Sequence, residues 1–267
     1  MSITAKELAA ILGLSESAIS LALNNKPGVS VQTRKRVLAA AEEHGYDFTK
    51  RSLRTDHAPA CSIYFIIYRK NGAVVADTPF FSELSEGIDL ACKRLQYFLN
   101  IQYVYEDDKI EEMLQMLSRI NVKGLIVLGT EMKQEDIRPF MKCGIPFVLL
   151  DNYFEELDIE SVLINNRKGA FSATDYLIRK RKKQPGYLHS SYSINNFEER
   201  ADGFYKAIRR HGMSSSRSVV HLLTPSVEGA YGDMTELIRQ REPLADCYFA
   251  DNDLIAAGAI RAFRESG

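Results

Sequence analysis

The chain has 267 residues, 45% hydrophobic and 26% charged, with a formal net charge of −1. That composition can bury a core for one or two ordinary domains and excludes a disordered chain. It offers no bulk-charge reason to bind nucleic acid: residues 1–56 carry eight Lys/Arg and six Asp/Glu, a net of +2, which leaves −3 for the rest.

In chain order, the first element announces itself by its caps. Thr4-Ala5-Lys6-Glu7 has the pattern of a capping box opening a helix over Ala5–Leu12, and Gly13 suits a left-handed residue at its end. Ser15 is a good cap for a second helix over Glu16–Asn24. Asn25-Lys26-Pro27-Gly28 reads as a loop, and Ser30 caps a third helix over Val31–Glu43, ended by His44-Gly45. Leu8, Ala9 and Leu12 of the first helix and Ile19 and Leu23 of the second fall at inward spacing. A plain three-helix bundle would share these features. A DNA-reading helix-turn-helix is favoured by the small–Gly–aliphatic set Ala9, Gly13 and Ile19 and by the short polar face Glu16, Ser17 and Ser20. Arg34, Lys35 and Arg36 open the third helix against its dipole, a placement that a phosphate partner would explain.

These residues, from Ile3-Thr4-Ala5-Lys6-Glu7-Leu8-Ala9-Ala10 to Glu42-Glu43-His44-Gly45-Tyr46, resemble the head of the lactose/galactose-repressor (LacI/GalR) family. The resemblance implies that Glu16, Ser17, Ser20 and Leu21 face base edges. It implies that Thr4, Ser15, Asn24, Ser30, Thr33 and Arg34 contact phosphates. After Tyr46 the pattern is broken: the family's Pro-Asn pair is missing, while Arg51-Ser52-Leu53-Arg54 is kept. Leu53 is the candidate minor-groove wedge, and a charged linker is the equal alternative. Leu21 stands where many relatives carry Arg; it can touch a thymine methyl but makes no bidentate contact to guanine.

From residue 60 short apolar runs alternate with amphipathic helices. The first series has strands Ile63–Tyr68, Ile101–Tyr105, Gly124–Leu128 and Phe147–Leu150, with helices over Phe81–Phe98, Ile110–Ile120 and Gln134–Cys143. The second has strands Val162–Ile164, Gly186–His189, Val219–Leu223 and Cys247–Ala250, with helices over Lys168–Arg179, Glu198–Arg210, Asp233–Arg239 and Leu254–Glu265. The pattern predicts two parallel α/β subdomains with a ligand cleft beyond the carboxyl ends of the strands. Asp151, Ser190, Ser191 and Asp251-Asn252-Asp253 stand at those ends, and Phe80 and Phe81 could stack on a sugar face. Singly, Asp151 and Asp253 could be helix caps and the two Phe core.

Thr78-Pro79-Phe80-Phe81, Val162-Leu163-Ile164-Asn165-Asn166, Arg200-Ala201-Asp202-Gly203-Phe204 and Ala250-Asp251-Asn252-Asp253-Leu254 resemble the effector-binding body of the same family. By that resemblance Arg200 holds effector hydroxyls, and Asp151, Asn252 and Asn196 line the pocket. Asn165 departs from the usual Asp, and Arg179–Pro185 replaces the usual Gly-His with a solvated basic loop. The chain stops at Gly267, where relatives continue into a final series of strands; a true end there predicts an open sheet edge.

Several chemistries have no signature here. There is no phosphate loop, dinucleotide fingerprint or nucleophile elbow. The five His lack ligand spacing, and adjacent pairs such as Glu111-Glu112 and Glu198-Glu199 read as surface residues. Cys61, Cys92, Cys143 and Cys247 are scattered with no C-x-x-C pair, and three of them, in apolar or helical stretches, read as buried thiols. No stretch approaches ~18 apolar residues, and no secretory pattern opens the chain, which points to a reducing cytoplasm.

The expected fold class is α + α/β: a three-helix helix-turn-helix head, then a two-subdomain parallel α/β body like periplasmic binding proteins, its last strands absent. The expected divisions are 1–47 head, 48–59 hinge, 60–160 first subdomain and 161–267 second, incomplete subdomain. The expected function is a transcriptional regulator, a repressor acting as a homodimer on a pseudo-palindromic operator and modulated by a sugar-like effector, with no cofactor, metal or catalysis. The alternatives are a sugar-binding protein without a regulatory role and a truncated regulator lacking effector response.

Overall fold

The structure is a computed structural model that describes residues 3–23, 29–44, 46, 61–70, 74 and 79–267. The expected roles of Asn24 and Leu53, and the 25–28 loop, fall outside these residues. The chain divides into two compact units, 1–58 and 59–267.

The first unit holds helices α1 (Ala5–Leu12), α2 (Glu16–Leu23) and α3 (Val31–Glu43). The caps form as the sequence predicts. The Thr4 side chain accepts from the Glu7 amide while Glu7 reaches back, and Gly13 closes α1 at φ 65°. Ser15 accepts from the Ala18 amide at 3.2 Å and Ser30 from the Thr33 amide at 3.0 Å. Leu8, Ala9, Ile19, Ala22, Leu23, Val37, Ala40 and Ala41 make the core.

The second unit contains two parallel sheets. The first has order β2-β1-β3-β4-β5, built from β1 (Ser62–Arg69), β2 (Phe98–Tyr105), β3 (Val122–Leu128), β4 (Phe147–Leu150) and β5 (Ser161–Val162). Helices α4 (Pro79–Arg94), α5 (Ile110–Ser118) and α6 (Gln134–Lys142) connect them. β1 is apolar on both faces for a reason: Ile66 and Tyr68 enter the core with Leu114, Ile137 and Phe140, while Phe65 and Ile67 face α4 through Phe81, Leu84 and Ile88. The second sheet has order β7-β6-β8, from β6 (Gly186–Ser190), β7 (Val220–Leu223) and β8 (Tyr248–Ala250). Its helices are α7 (Asn166–Arg181), α8 (Asn195–Arg210), α9 (Val227–Arg239) and α10 (Asp253–Glu265).

Two helix pairs share one contact. Gly203 in α8 sits where an added Cβ would lie 2.3 Å from the Arg167 carbonyl and 2.9 Å from Ala170 Cβ in α7. Gly258 in α10 repeats this against α9, 2.4 Å from the Val227 carbonyl and 2.8 Å from Ala230 Cβ. Glycine permits both backbones to touch.

Several sequence expectations need correction. The helix expected to reach Phe98 ends at Arg94, because Gln96 takes a left-handed φ of 60° and the Tyr97 amide turns back to the Cys92 carbonyl. β2 therefore starts at Phe98 and lies at the sheet edge, with Phe98, Ile101, Tyr103 and Tyr105 exposed rather than covered. The strand expected over Val162–Ile164 is the two-residue β5, and it pairs with β4, closing the first sheet instead of opening the second. The 160/161 division thus cuts before a strand of the first sheet. α9 begins at Val227, six residues before Asp233, because Ser226 caps it. The basic "loop" starts as helix: Arg179, Lys180 and Arg181 form the last turn of α7, where cations favour the dipole, and Lys182 caps it at φ 57°. Of the four thiols only Cys92 is buried; Cys61, Cys143 and Cys247 are half-buried.

Candidate functional site

In the head, Glu16, Ser17 and Ser20 lie together on the exposed side of α2, opposite buried Ile19, Ala22 and Leu23. Leu21 is half-buried at the margin of that face. The residues expected at phosphates have a common structural position: Thr4, Ser15 and Ser30 each cap one of the three helices. Their hydroxyls are oriented within the caps, with Ser15 and Ser17 oxygens 3.0 Å apart and Ser30 and Thr33 oxygens 2.8 Å apart. A helix N-terminus carries partial positive charge and free amide donors, the chemistry that accepts a phosphate oxygen. Arg34 follows in the first turn of α3 and is half-buried.

In the body, Phe80, Phe81, Asp151, Asn196, Arg200, Asn252 and Asp253 all line one cavity of about 140 Å³. They converge because each stands at the carboxyl end of a strand or in the first turns of the helix that follows. Phe80 and Phe81 begin α4 and meet edge to face, centroids 5.1 Å apart. Asp151 follows β4 at φ 61° and is 7% exposed, with the Thr130 hydroxyl donating to it at 2.8 Å. Burial pushes its carboxyl pKa up, against the opposing pull of Thr130, Asn196 and Arg200. Arg200 and Asn196 project from α8: Arg200 Nε donates to Asn166 Oδ1 at 2.8 Å, and Asn166 Nδ2 donates to Asn196 Oδ1 at 3.0 Å. Asn252 caps α10 through the Ile255 amide at 2.8 Å, so the cap sits one residue before Asp253.

Other candidates at strand ends do not join the cavity. Ser190 is buried outside the lining, and Ser191 faces a separate 580 Å³ groove with Lys70, Glu131 and Tyr192. The Asp251 side chain points away from the cavity lining into a cluster described below. Sequence reasoning missed Val74, Thr130, Ile164, Ile194 and Phe197 in the wall. It also read Glu199 as a surface residue, whereas Glu199 is half-buried and accepts from the Tyr153 hydroxyl at 3.2 Å and Asn166 at 3.3 Å. The spacing Asn196, Glu199, Arg200, Gly203 along one face of α8 is the signal that could have found it. Asn152 and Tyr153, after β4, are tied to α8 by Asn195 Nδ2 at 2.9 Å from each acceptor.

A helical head with one polar exposed face, and an α/β unit with a polar cavity at the strand ends, are the parts of a DNA-binding regulator that senses a small molecule. Comparison with known proteins agrees. Residues 4–47 match the family of bacterial regulatory proteins, lacI family, and residues 64–267 match the periplasmic binding proteins and sugar binding domain of the LacI family. The chain belongs to the LacI family. It is 29% identical to the HTH-type transcriptional regulator GalS of Salmonella typhimurium, over 99% of this chain and 76% of that one. Among solved structures it resembles the transcriptional regulator CelR in complex with cellobiose, with TM-score 0.65 and 22% identity over 99% of this chain and 79% of that one. It also resembles the lac repressor dimer bound to operator and the anti-inducer ONPF, with TM-score 0.66 and 20% identity over 100% of this chain and 79% of that one.

Proposed function

We propose that this protein is a transcriptional repressor that binds a pseudo-palindromic operator as a homodimer, and that a small neutral polyol, a monosaccharide or derivative, sets its operator affinity. In this reading residues 1–47 read DNA, with Glu16, Ser17, Ser20 and Leu21 on base edges. Thr4, Ser15, Asn24, Ser30, Thr33 and Arg34 hold phosphates, and 48–59 is the hinge with Leu53 as wedge. The body, divided after β5 rather than at 160, senses the effector. The protein acts in the cytoplasm and carries no catalytic chemistry.

The observation that carries the reading is the convergence of seven candidates on one cavity. At about 140 Å³ it is smaller than the ~300–1,000 Å³ of drug-sized sites, which favours one sugar ring over two. Two carboxyls, Asp151 and Asp253, against one guanidinium, Arg200, disfavour a phosphate ester. Relatives named for operator binding and for a cellobiose complex support both halves. The exposed apolar residues of edge strand β2 support a second copy as partner. One head touches few base pairs, so useful affinity needs two.

The test is a selection of DNA sites from a random pool with the purified chain, followed by melting with D-galactose, D-ribose, cellobiose and glucose 6-phosphate. A two-fold symmetric site is expected, with a melting rise of roughly 5–10 °C for a monosaccharide at 100 times its Kd. Selection of no symmetric site overturns the DNA half. A rise with the phosphate ester alone, or no rise with any sugar and no change on Arg200→Ala, overturns the effector half.

A further inference from the structure

Behind the cavity wall lies a buried carboxylate that the effector reading does not use. Tyr187 and His189 alternate along β6 and so share a face, their ring centroids 4.9 Å apart. β8 runs beside β6, and at its end the Asp251 amide donates to the Leu188 carbonyl at 3.1 Å. That pairing delivers the Asp251 side chain onto the same face, with 0% of it exposed. Its Oδ1 accepts from the Tyr187 hydroxyl. Its Oδ2 accepts from the Ser190 amide at 2.6 Å and meets His189 Nδ1 at 2.7 Å. None of these three side chains lines the cavity. Yet the main-chain carbonyl of Asp251 accepts from Arg200 Nη1, and Arg200 does line it.

Burying a carboxylate costs several kcal/mol unless donors and a counter-charge compensate it. Tyr187 and the Ser190 amide supply donors, and His189 is the group that can supply a charge. We propose that Asp251 and His189 together are the positioning pair for Arg200, the ion pair fixing the Asp251 peptide whose carbonyl holds the guanidinium. This rests on the reading of Arg200 as an effector contact.

The surroundings of His189 favour its charged form. The hydrogen bond to Asp251 draws the His189 pKa up, burial opposes it, and the fields of Asp251 and Glu198 add to the rise. The titratable and charged groups around the pair are Asp251 at the end of β8, Glu198, Arg200 and Tyr205 on α8, and Tyr187 on β6 itself. When His189 loses its proton, the buried Asp251 charge keeps one cation near it, Arg200. The guanidinium is then drawn toward Asp251 and away from the cavity, so effector affinity falls as pH rises through the His189 titration.

The test needs no effector, so its failure is distinct from a failure of the proposed function. In the full chain, with isotope-labelled His and Arg side chains, the His189 ring and the Arg200 Nε–H are followed by NMR against pH. Both signals are expected to move with one midpoint above the ordinary histidine value. In Asp251→Asn the His189 midpoint falls toward that ordinary value and the Arg200 signal stops titrating. Because Asp251→Asn can fail to fold, His189→Asn, which keeps an N–H near the Nδ1 position but cannot titrate, carries the same test. It should leave the Arg200 signal present and flat with pH. An Arg200 signal insensitive to pH in the unmodified chain, or one that still titrates in His189→Asn, overturns the proposal.

Discussion

Replacing Gly203 by Ala separates two effects that usually act together. In an exposed helix interior, Gly to Ala is worth about 1 kcal/mol of stability, from propensity and the unfolded chain. Gly87 in α4 and Gly232 in α9 are such sites, with nothing within 4 Å of an added Cβ. At Gly203 the same methyl would lie 2.3 Å from the Arg167 carbonyl and 2.9 Å from both Ala170 Cβ and the Phe171 amide nitrogen. Two of those three atoms are backbone and cannot rotate aside. Carbon and oxygen need roughly 1 Å more, so α7 and α8 must part, an overpacking strain of about 1–3 kcal/mol or more. We expect the strain to exceed the propensity gain, for a net loss of about 2 kcal/mol. In a body of this size that lowers the melting temperature by roughly 4–8 °C, while Gly87→Ala and Gly232→Ala raise it by roughly 2–4 °C. Urea unfolding with matched slopes is the assay. The reasoning is refuted if Gly203→Ala melts at or above the unmodified chain. Parting the helices should also stretch the Asn166–Arg200 and Asn166–Asn196 bonds, 2.8 and 3.0 Å here, and weaken effector binding.

Further predictions concern the caps and the buried carboxyls. Ser30→Ala removes the acceptor of the Thr33 amide and should cost the head about 1 kcal/mol, with a parallel loss of operator affinity in a mobility-shift assay. Asp151→Asn removes a carboxyl that burial holds above its ordinary pKa. Such a group binds its proton more tightly folded than unfolded, so stability falls as pH rises through its native value. The Asn variant should therefore melt higher at pH 7 without ligand and bind a sugar more weakly in calorimetry. His189, also raised, contributes stability that is complete below the unfolded histidine value and lost as pH rises through the native one. Melting curves from pH 6 to 9 should show this decline, and His189→Asn should flatten it.

What was legible in the sequence was local. Thr4, Ser15, Ser30 and Gly13 announce their helices because a cap is chemistry between residues three apart. β4 was read to the residue because Phe147-Val148-Leu149-Leu150 is an apolar run between turn residues. The end of α4 was not, since Leu95-Gln96-Tyr97-Phe98 continues the apolar spacing without Gly or Pro, and the helix breaks on a left-handed Gln. β5 was misplaced because two residues carry no period; its sheet is decided by pairing with Leu149 and Leu150. At the site, strand ends pointed to Asp151 and Asn252 as positions. They did not reveal that Asp251, itself a strand-end candidate, turns inward to partners 61–64 residues away.

The division between locked framework and cavity lining has a use in engineering. The two glycine contacts set how α7 meets α8 and how α9 meets α10, and neither glycine lines the cavity. Phe80, Phe81 and Asp253 can therefore be randomised as a library for new effectors without disturbing either crossing, while Asn196 stays fixed because it accepts from Asn166 of α7. Gly203 and Gly258 should be held constant in every member, since a methyl at either position would confound altered recognition with altered geometry.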